Sequence, residues 1–352
     1  MKKLKKIDIY TIPLLFAALA TVVLRSFALI TSFNPVTMHF DNGVAITVSN
    51  IIIAIATLGF LSYLFLGEKK RPLVVKNHGA SSYIPAGIVS TALIFMGAHN
   101  MYMCFTGGYN MTVRLMNFNV DILSPMAFVC GLLAFLSVGA FFLSIFIEKN
   151  DDIYKSAFSL SIVFFLALYA LLLYFDKQEH PTNSPNRFVD EMAYLSAALF
   201  FLFEARIPLG RTKWRGYVTF GLIATLLCTY SSIPSIILFF VKGGYTVSES
   251  IIESILTLTL AIYTLSKVLR YKLLTPDDEC ETAKNIRRLA AIREDEIEEN
   301  RKLARAQESN NIEENDDTED AANYTFNIPY IDSNPDLSQD DATIDLTNDK
   351  SN

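Results

Sequence analysis

Residues 216–241 read GYVTFGLIATLLCTYSSIPSIILFFV, 26 positions without an Asp, Glu, Lys, Arg or His. A helix rises about 1.5 Å per residue and the hydrocarbon core of a bilayer is about 30 Å thick, so roughly 20 apolar residues suffice to cross it. Where no water is available every backbone polar group must be bonded within the segment, which a helix does. This stretch is therefore read as a transmembrane helix, broken in character only at Ser231-Ser232-Ile233-Pro234-Ser235. Outward from it, seven further segments meet or approach the same length, near 8–31, 45–66, 83–105, 122–147, 156–175, 189–207 and 250–269. The expected fold class is an all-α polytopic membrane protein with eight transmembrane helices and a disordered cytoplasmic tail. A chain of 352 residues with 51% hydrophobic and 19% charged residues fits that class better than two or three soluble domains.

Charge orients the spans. Net charge is +8 over residues 1–274 and −14 over residues 275–352, so the overall −6 describes neither part. Basic residues are retained on the cytoplasmic side of short connections. Seventeen lie on one side: Lys2, Lys3, Lys5, Lys6, Lys69, Lys70, Arg71, Lys76, Lys149, Lys155, Arg206, Arg211, Lys213, Arg215, Lys267, Arg270 and Lys272. Only Arg114, Lys177, Arg187 and Lys242 lie on the other. Both termini are thus expected in the cytoplasm, with the chain in a cell (inner or plasma) membrane. The start, Met1 to Lys6 followed by Ile12 to Leu24 with Ala17, Ala18 and Ala20, also has the look of a signal peptide. Its removal would leave seven spans in the same orientation.

An internal duplication argues for retention of the first span. Asp8-Ile9-Tyr10 matches Asp152-Ile153-Tyr154, and Leu66-Gly67 matches Leu209-Gly210. Residues 87–93 (GIVSTAL) parallel 221–227 (GLIATLL), and Gly107-Gly108-Tyr109 parallels Gly243-Gly244-Tyr245. The matches occur in order, at offsets of 144, 143, 134 and 136 residues. Apolar helices draw on few residue types and resemble one another by chance, but chance does not keep order. Four spans per unit make the repeats parallel, related by an axis along the membrane normal. The expected domains are a first repeat at 1–148, a second at 149–274, a charged cytoplasmic helix at 275–307 and an acidic disordered tail at 308–352.

Ionisable residues inside spans are costly and mark candidate sites. Arg25 lies six residues from the outer end of span 1, about 9 Å deep. Glu253 lies about one turn into span 8, and an ion pair between the two would lower the cost of each. Snorkelling of either side chain to the headgroups is the competing reading. Glu204 and Arg206, at the inner end of span 6, read as interfacial anchors; Asp190 and Glu191, at its outer end, read similarly or as partners of Arg25. The more informative feature is a pair of interruptions at corresponding places, Gly97-Ala98-His99-Asn100 in span 3 and Ser231 to Ser235 in span 7. Proline removes a donor while Ser and Asn bond freed backbone, so both helices are expected to kink or unwind in their outer halves. Matched broken helices point to a transporter's binding site, against the plainer reading that such kinks serve packing. The expected substrate-binding residues are Arg25, His99, Asn100, Ser231, Ser232, Pro234 and Glu253.

No phosphate loop, zinc pair, nucleophile elbow or pair of deep carboxylates is visible, so no catalytic residue, metal or cofactor is expected. The four cysteines, Cys104, Cys130, Cys228 and Cys280, are widely spaced and read as buried free thiols. The loop from Tyr102 to Phe118 is rich in Met and aromatics, fit to lie on the membrane or cap a cavity, and holds the glycosylation pattern Asn110-Met111-Thr112. From Glu308 onward there are 13 acidic residues and the single Lys350, a composition that cannot order itself. Within it Tyr324 to Ile331 forms an aromatic island suited to docking a cytoplasmic protein. Two functions follow. The first is a transporter or permease of a small solute or lipid-like molecule. The alternative is a sensor or scaffold that recruits its partner through the tail. Nucleic acid is not an expected partner.

Overall fold

The computed structural model describes residues 6–34, 39–41, 43–62, 64–65, 73–75, 80–108, 112–115, 118–146, 152–175, 185–207, 214–243 and 251–273, with 288, 291–292, 295, 298–299 and 301–303 beyond. Eight helices follow in order: α1 (Lys6–Ser32), α2 (Val44–Ser62), α3 (Ala80–Thr106), α4 (Leu123–Phe146), α5 (Asp152–Phe175), α6 (Pro185–Ala205), α7 (Trp214–Val241) and α8 (Ile251–Val268). Six contain stretches long and apolar enough to cross a bilayer among the described residues: Ile12–Ser32, Val44–Ser62, Tyr83–Thr106, Leu123–Phe141, Trp214–Val241 and Ile251–Val268. α5 offers the shorter apolar stretch Ser159–Phe175, and α6 is diluted by Asp190, Glu191 and Glu204. The expected signal at α6 is weak because its charges count against it in sequence, whatever they face in the fold.

The helices carry their apolar residues outward and much of their polarity inward. On α1, Leu15, Phe16, Leu19, Val23 and Phe27 are exposed, whereas Thr21, Arg25 and Ser26 are buried. On α2, Val48, Ile51, Ile55 and Leu58 are exposed and Ser49 is buried. This is the pattern of helices whose solvent is hydrocarbon, where contacts between helices rest on small and hydroxylic residues rather than on apolar bulk. Ser49 Oγ donates to the Thr21 carbonyl at 3.2 Å, joining α2 to α1. Ser137 and Ser161 hydroxyls meet at 3.2 Å between α4 and α5, and Thr225 and Thr264 at 2.9 Å between α7 and α8.

α8 is the axial helix. It packs along α7 and α3 and reaches α6. Its side chains also meet α4, where the Phe141 and Tyr263 rings lie 5.2 Å apart, and α5, where Tyr169 donates a hydrogen bond to Glu253. Neighbouring helices α3 to α7 pack in sequence around it, α1 lies along α7, and α2 lies against α1 and α7. Three short antiparallel pairs tie the ends: β1 (Phe33–Asn34) with β2 (His39–Phe40), β3 (Leu73–Val75) with β6 (Tyr271–Leu273), and β4 (Thr112–Leu115) with β5 (Phe118–Asp121). The loop expected to cap or lie on the membrane therefore contains a hairpin. The β3 and β6 pair, with Arg215 Nη1 donating to the Leu64 carbonyl at 3.5 Å, marks one end of the bundle, here the basic end. At the opposite end Lys242 Nζ donates to the Phe33 carbonyl at 3.1 Å.

The two interruptions do not unwind their helices: α3 is helical throughout Ala80–Thr106 and α7 throughout Trp214–Val241. The reason differs in each. Gly97 serves close packing, since a Cβ there would stand 3.2 Å from the Gly131 carbonyl oxygen and from the Phe135 ring, and one at Gly131 would stand 2.8 Å from Met101 Cγ. In α7, Ser232 Oγ bonds the Cys228 carbonyl at 2.6 Å and Ser235 Oγ the Ser231 carbonyl at 2.9 Å, holding the turn around Pro234 while Pro234 itself leaves the Tyr230 carbonyl without its usual donor.

Of the sequence matches, the glycine pair shares a backbone conformation: Gly107 has φ 70° and Gly243 φ 67°. Gly107 ends α3 in a Schellman turn, with the Gly108 amide on the Met103 carbonyl at 2.9 Å. Replacement of Gly107 by alanine is expected to cost about 1 kcal/mol of stability, read as a lowered melting temperature, because an L side chain is strained at that φ. Helix pairing, by contrast, differs between the halves: α6 packs along both α5 and α7, whereas α2 packs along α1 and reaches across to α7.

Asp121 caps α4, its Oδ1 taking the Leu123 amide at 3.1 Å and its Oδ2 the Ser124 hydroxyl at 2.5 Å. Cys130 and Cys228 are buried free thiols and Cys104 is half-buried. In the charged segment the described residues are helical and exposed, and Lys302 pairs with Glu298 one turn away at 3.3 Å. Cys280, Asn110, the first five residues and the Tyr324 to Ile331 island lie outside the described residues.

Candidate functional site

The first centre is built on α1, α2, α6 and α7, in the half of the bundle away from the basic end. Arg25 is only 1% exposed, so it does not snorkel; its guanidinium carbon sits 4.4 Å from the centre of the Tyr230 ring, a cation–π contact in a dry setting. Its charge acts on the buried carboxylate of Asp190, a partner weighed for it in the sequence. Ser231 donates a hydrogen bond to Asp190 Oδ1, and the Tyr230 hydroxyl donates to Asn50 Oδ1 at 2.6 Å. Tyr230 and Ser231 are thus set by the turn that Ser232, Pro234 and Ser235 shape: one presents a ring to Arg25, the next a hydroxyl to Asp190.

The second centre stands on the axial helix. Glu253 is buried, and Tyr169 of α5 donates to its Oε1. The Tyr169 ring meets Tyr194 of α6 edge-on at 5.1 Å, and Tyr194 stands one turn along α6 from Asp190. α6 therefore joins the two centres. Asn100 is 0% exposed and neither its amide oxygen nor its nitrogen has a hydrogen-bond partner. It sits about 9 Å from the end of α3, the helix that packs against α8. An amide buried without partners costs about 1–3 kcal/mol, so it marks a place where a ligand group would be rewarded with both a donor and an acceptor. His99, half-buried, is rotated about 100° from Asn100 around α3.

A third group, at the basic end, corrects the reading of Glu204 as an interfacial anchor. Glu204 accepts a hydrogen bond from the Tyr263 hydroxyl at 2.9 Å and pairs with Lys267 Nζ at 3.3 Å, with Lys267 only 6% exposed. Lys267 also lies 5.2 Å from the centre of the Tyr263 ring. Arg206, two residues on, is exposed as an anchor would be. Tyr169, Tyr194, Tyr230, Asn50 and Tyr263 were not singled out in sequence, and Lys267 was read only as one of the basic residues that orient the chain. Tyrosines are ordinary membrane-interface residues, and only the i, i+4 spacing of Tyr263 and Lys267 hinted at a shared face.

Among the described residues no three His, Cys, Asp or Glu side chains gather as a metal would require. The fold and these centres define an α-helical integral membrane protein with ionisable residues enclosed among its helices. No protein-family model, curated protein or solved structure matches the chain.

Proposed function

We propose that the chain is a transporter or permease of a small solute or lipid-like molecule, crossing the membrane eight times with both termini in the cytoplasm. The observation that carries this reading is the burial of Arg25, Asp190 and Glu253, from three different helices, in one half of the bundle. Charge enclosed among membrane helices is expensive, and its usual use is along a substrate or ion pathway. An anionic group on the solute would compete with Asp190 for Arg25, leaving Ser231 to hold the displaced carboxylate, while Asn100 offers its free amide to a polar group further along. Tyr169 steadies Glu253 meanwhile.

Eight crossings are supported by α5 and α6 packing in line between α4 and α7, both of which are apolar enough to span. Two of the charges of α6 turn inward, Asp190 to Ser231 and Glu204 to Lys267, so these do not oppose insertion as charges facing lipid would. The excess of basic residues at one end supports its cytoplasmic placement. The duplication rests on the order of the sequence matches and on the shared turn at Gly107 and Gly243.

Uptake measured per folded molecule in proteoliposomes, over a panel of small anionic, zwitterionic and neutral solutes, tests the reading. Arg25→Gln is expected to cut uptake of at least one solute about tenfold or more, the worth of a charged hydrogen bond, with smaller losses for Asn100→Ala and Pro234→Ala. Uptake of every solute equal to wild type in all three variants would end it.

A further inference from the structure

We infer that the basic end holds a separate oxyanion-binding site, formed by Tyr217, Lys267 and Arg270 where α7 begins and α8 ends. The inference is independent of transport and of the Arg25 centre.

Two observations converge. Tyr217 is 0% exposed, yet its hydroxyl has no hydrogen-bond partner. Its ring packs on Phe200 of α6 at 5.0 Å, and Phe200 stands one turn along that helix from Glu204, the partner of Lys267. Second, Nη1 of Arg270 is buried and also without a partner. Tyr263, Lys267 and Arg270 fall at i, i+4 and i+7, one stripe of α8 continued through its last turn, where the Leu269 amide still bonds Leu265 and the Arg270 amide bonds Lys267. That stripe faces α6, as the Tyr263 and Lys267 contacts with Glu204 show.

The unspent groups can both donate: a phenol and a guanidinium nitrogen. The formal charge of Glu204, Lys267 and Arg270 together is +1, which a singly charged oxyanion neutralises. Capping of the α8 carbonyls accounts for basic residues at this end but not for a buried guanidinium nitrogen left unbonded. Glu204 is then the internal anion that holds Lys267 in place, and the ligand's carboxylate or phosphate takes the remaining donors. The same chemistry is offered by a soluble anion or by the phosphate of a lipid headgroup.

The full-length protein, purified in a neutral detergent, is titrated with inorganic phosphate and, separately, with short-chain phosphatidylglycerol against phosphatidylcholine, binding being read by native mass spectrometry and by thermal shift. Saturable binding of phosphate identifies a soluble oxyanion, and binding of phosphatidylglycerol alone identifies a headgroup; both support the site. In either arm Arg270→Gln is expected to weaken binding about tenfold or more, and Tyr217→Phe, which removes one oxygen and keeps the ring packing, several-fold. Absence of saturable binding in both arms overturns the inference, as does binding that Arg270→Gln and Tyr217→Phe both leave at wild-type strength in protein that melts as wild type does.

Discussion

Arg25→Gln is expected to lower the stability of the folded bundle by about 3–5 kcal/mol, the cost of leaving one member of a buried charge pair uncompensated. Asp190 is 7% exposed and Arg25 1%, so neither charge reaches water when the other is lost. Ser231 alone cannot neutralise the carboxylate, and the cation–π contact with Tyr230 disappears with the guanidinium. The double variant Arg25→Gln/Asp190→Asn removes both charges and is expected to regain most of the loss, because a neutral polar pair buried together avoids the ionic penalty. Reversible unfolding in mixed micelles measures both, and the pair forms a double-mutant cycle. A single variant as stable as wild type, or a double variant no better than the sum of its parts, would show that the two charges do not depend on each other.

Gly221→Leu is expected to cost about 3 kcal/mol, at the upper end of what overpacking a filled core does. Even the first carbon of a side chain there would stand 2.3 Å from Val268 Cγ2 and 3.1 Å from the Phe200 ring, so α7 must move away from the axial helix and from α6 together. The Thr225 and Thr264 hydroxyls, one turn along and 2.9 Å apart, would separate with it. Gly59→Leu is the matched control: nothing lies within 4 Å of a Cβ at Gly59, so the same substitution is expected to be close to neutral. In a Gly221→Ala background, Val268→Ala is expected to restore part of the loss by withdrawing the atom that clashes. Melting temperatures of the four proteins decide it, and equal values for Gly221→Leu and Gly59→Leu would remove the argument.

Much of the architecture is legible from single segments. Each of the eight helices lies on a segment picked out by apolar length, since hydrocarbon forces every spanning backbone into self-satisfying helix. The position of Arg25 and Glu253 along their helices is legible too, because rise per residue is constant. The direction each side chain takes around its helix is less so. Asp190 and Glu204 read alike from position, near opposite ends of one span, and only packing shows one enclosed with Arg25 and the other bonded to Tyr263 and Lys267. The interruptions mislead for a related reason. Gly97 looks like a helix breaker when its neighbour α4 is unseen, whereas beside Gly131 it is the close contact that lets the two helices meet.

The sequence by itself determines that this chain lives in a membrane, where its apolar segments begin and end, and which end carries the basic charge, because these depend on composition along one dimension. Tertiary structure alone decides that α8 is the axis, that α6 turns Asp190 and Glu204 inward, and that Arg25, Asp190 and Glu253 are enclosed rather than drawn to the surface. Those outcomes depend on which helix lies against which. Between apolar helices in lipid that choice rests on small-residue contacts and a few hydroxyl bonds, made by residues hundreds of positions apart or adjacent with equal ease.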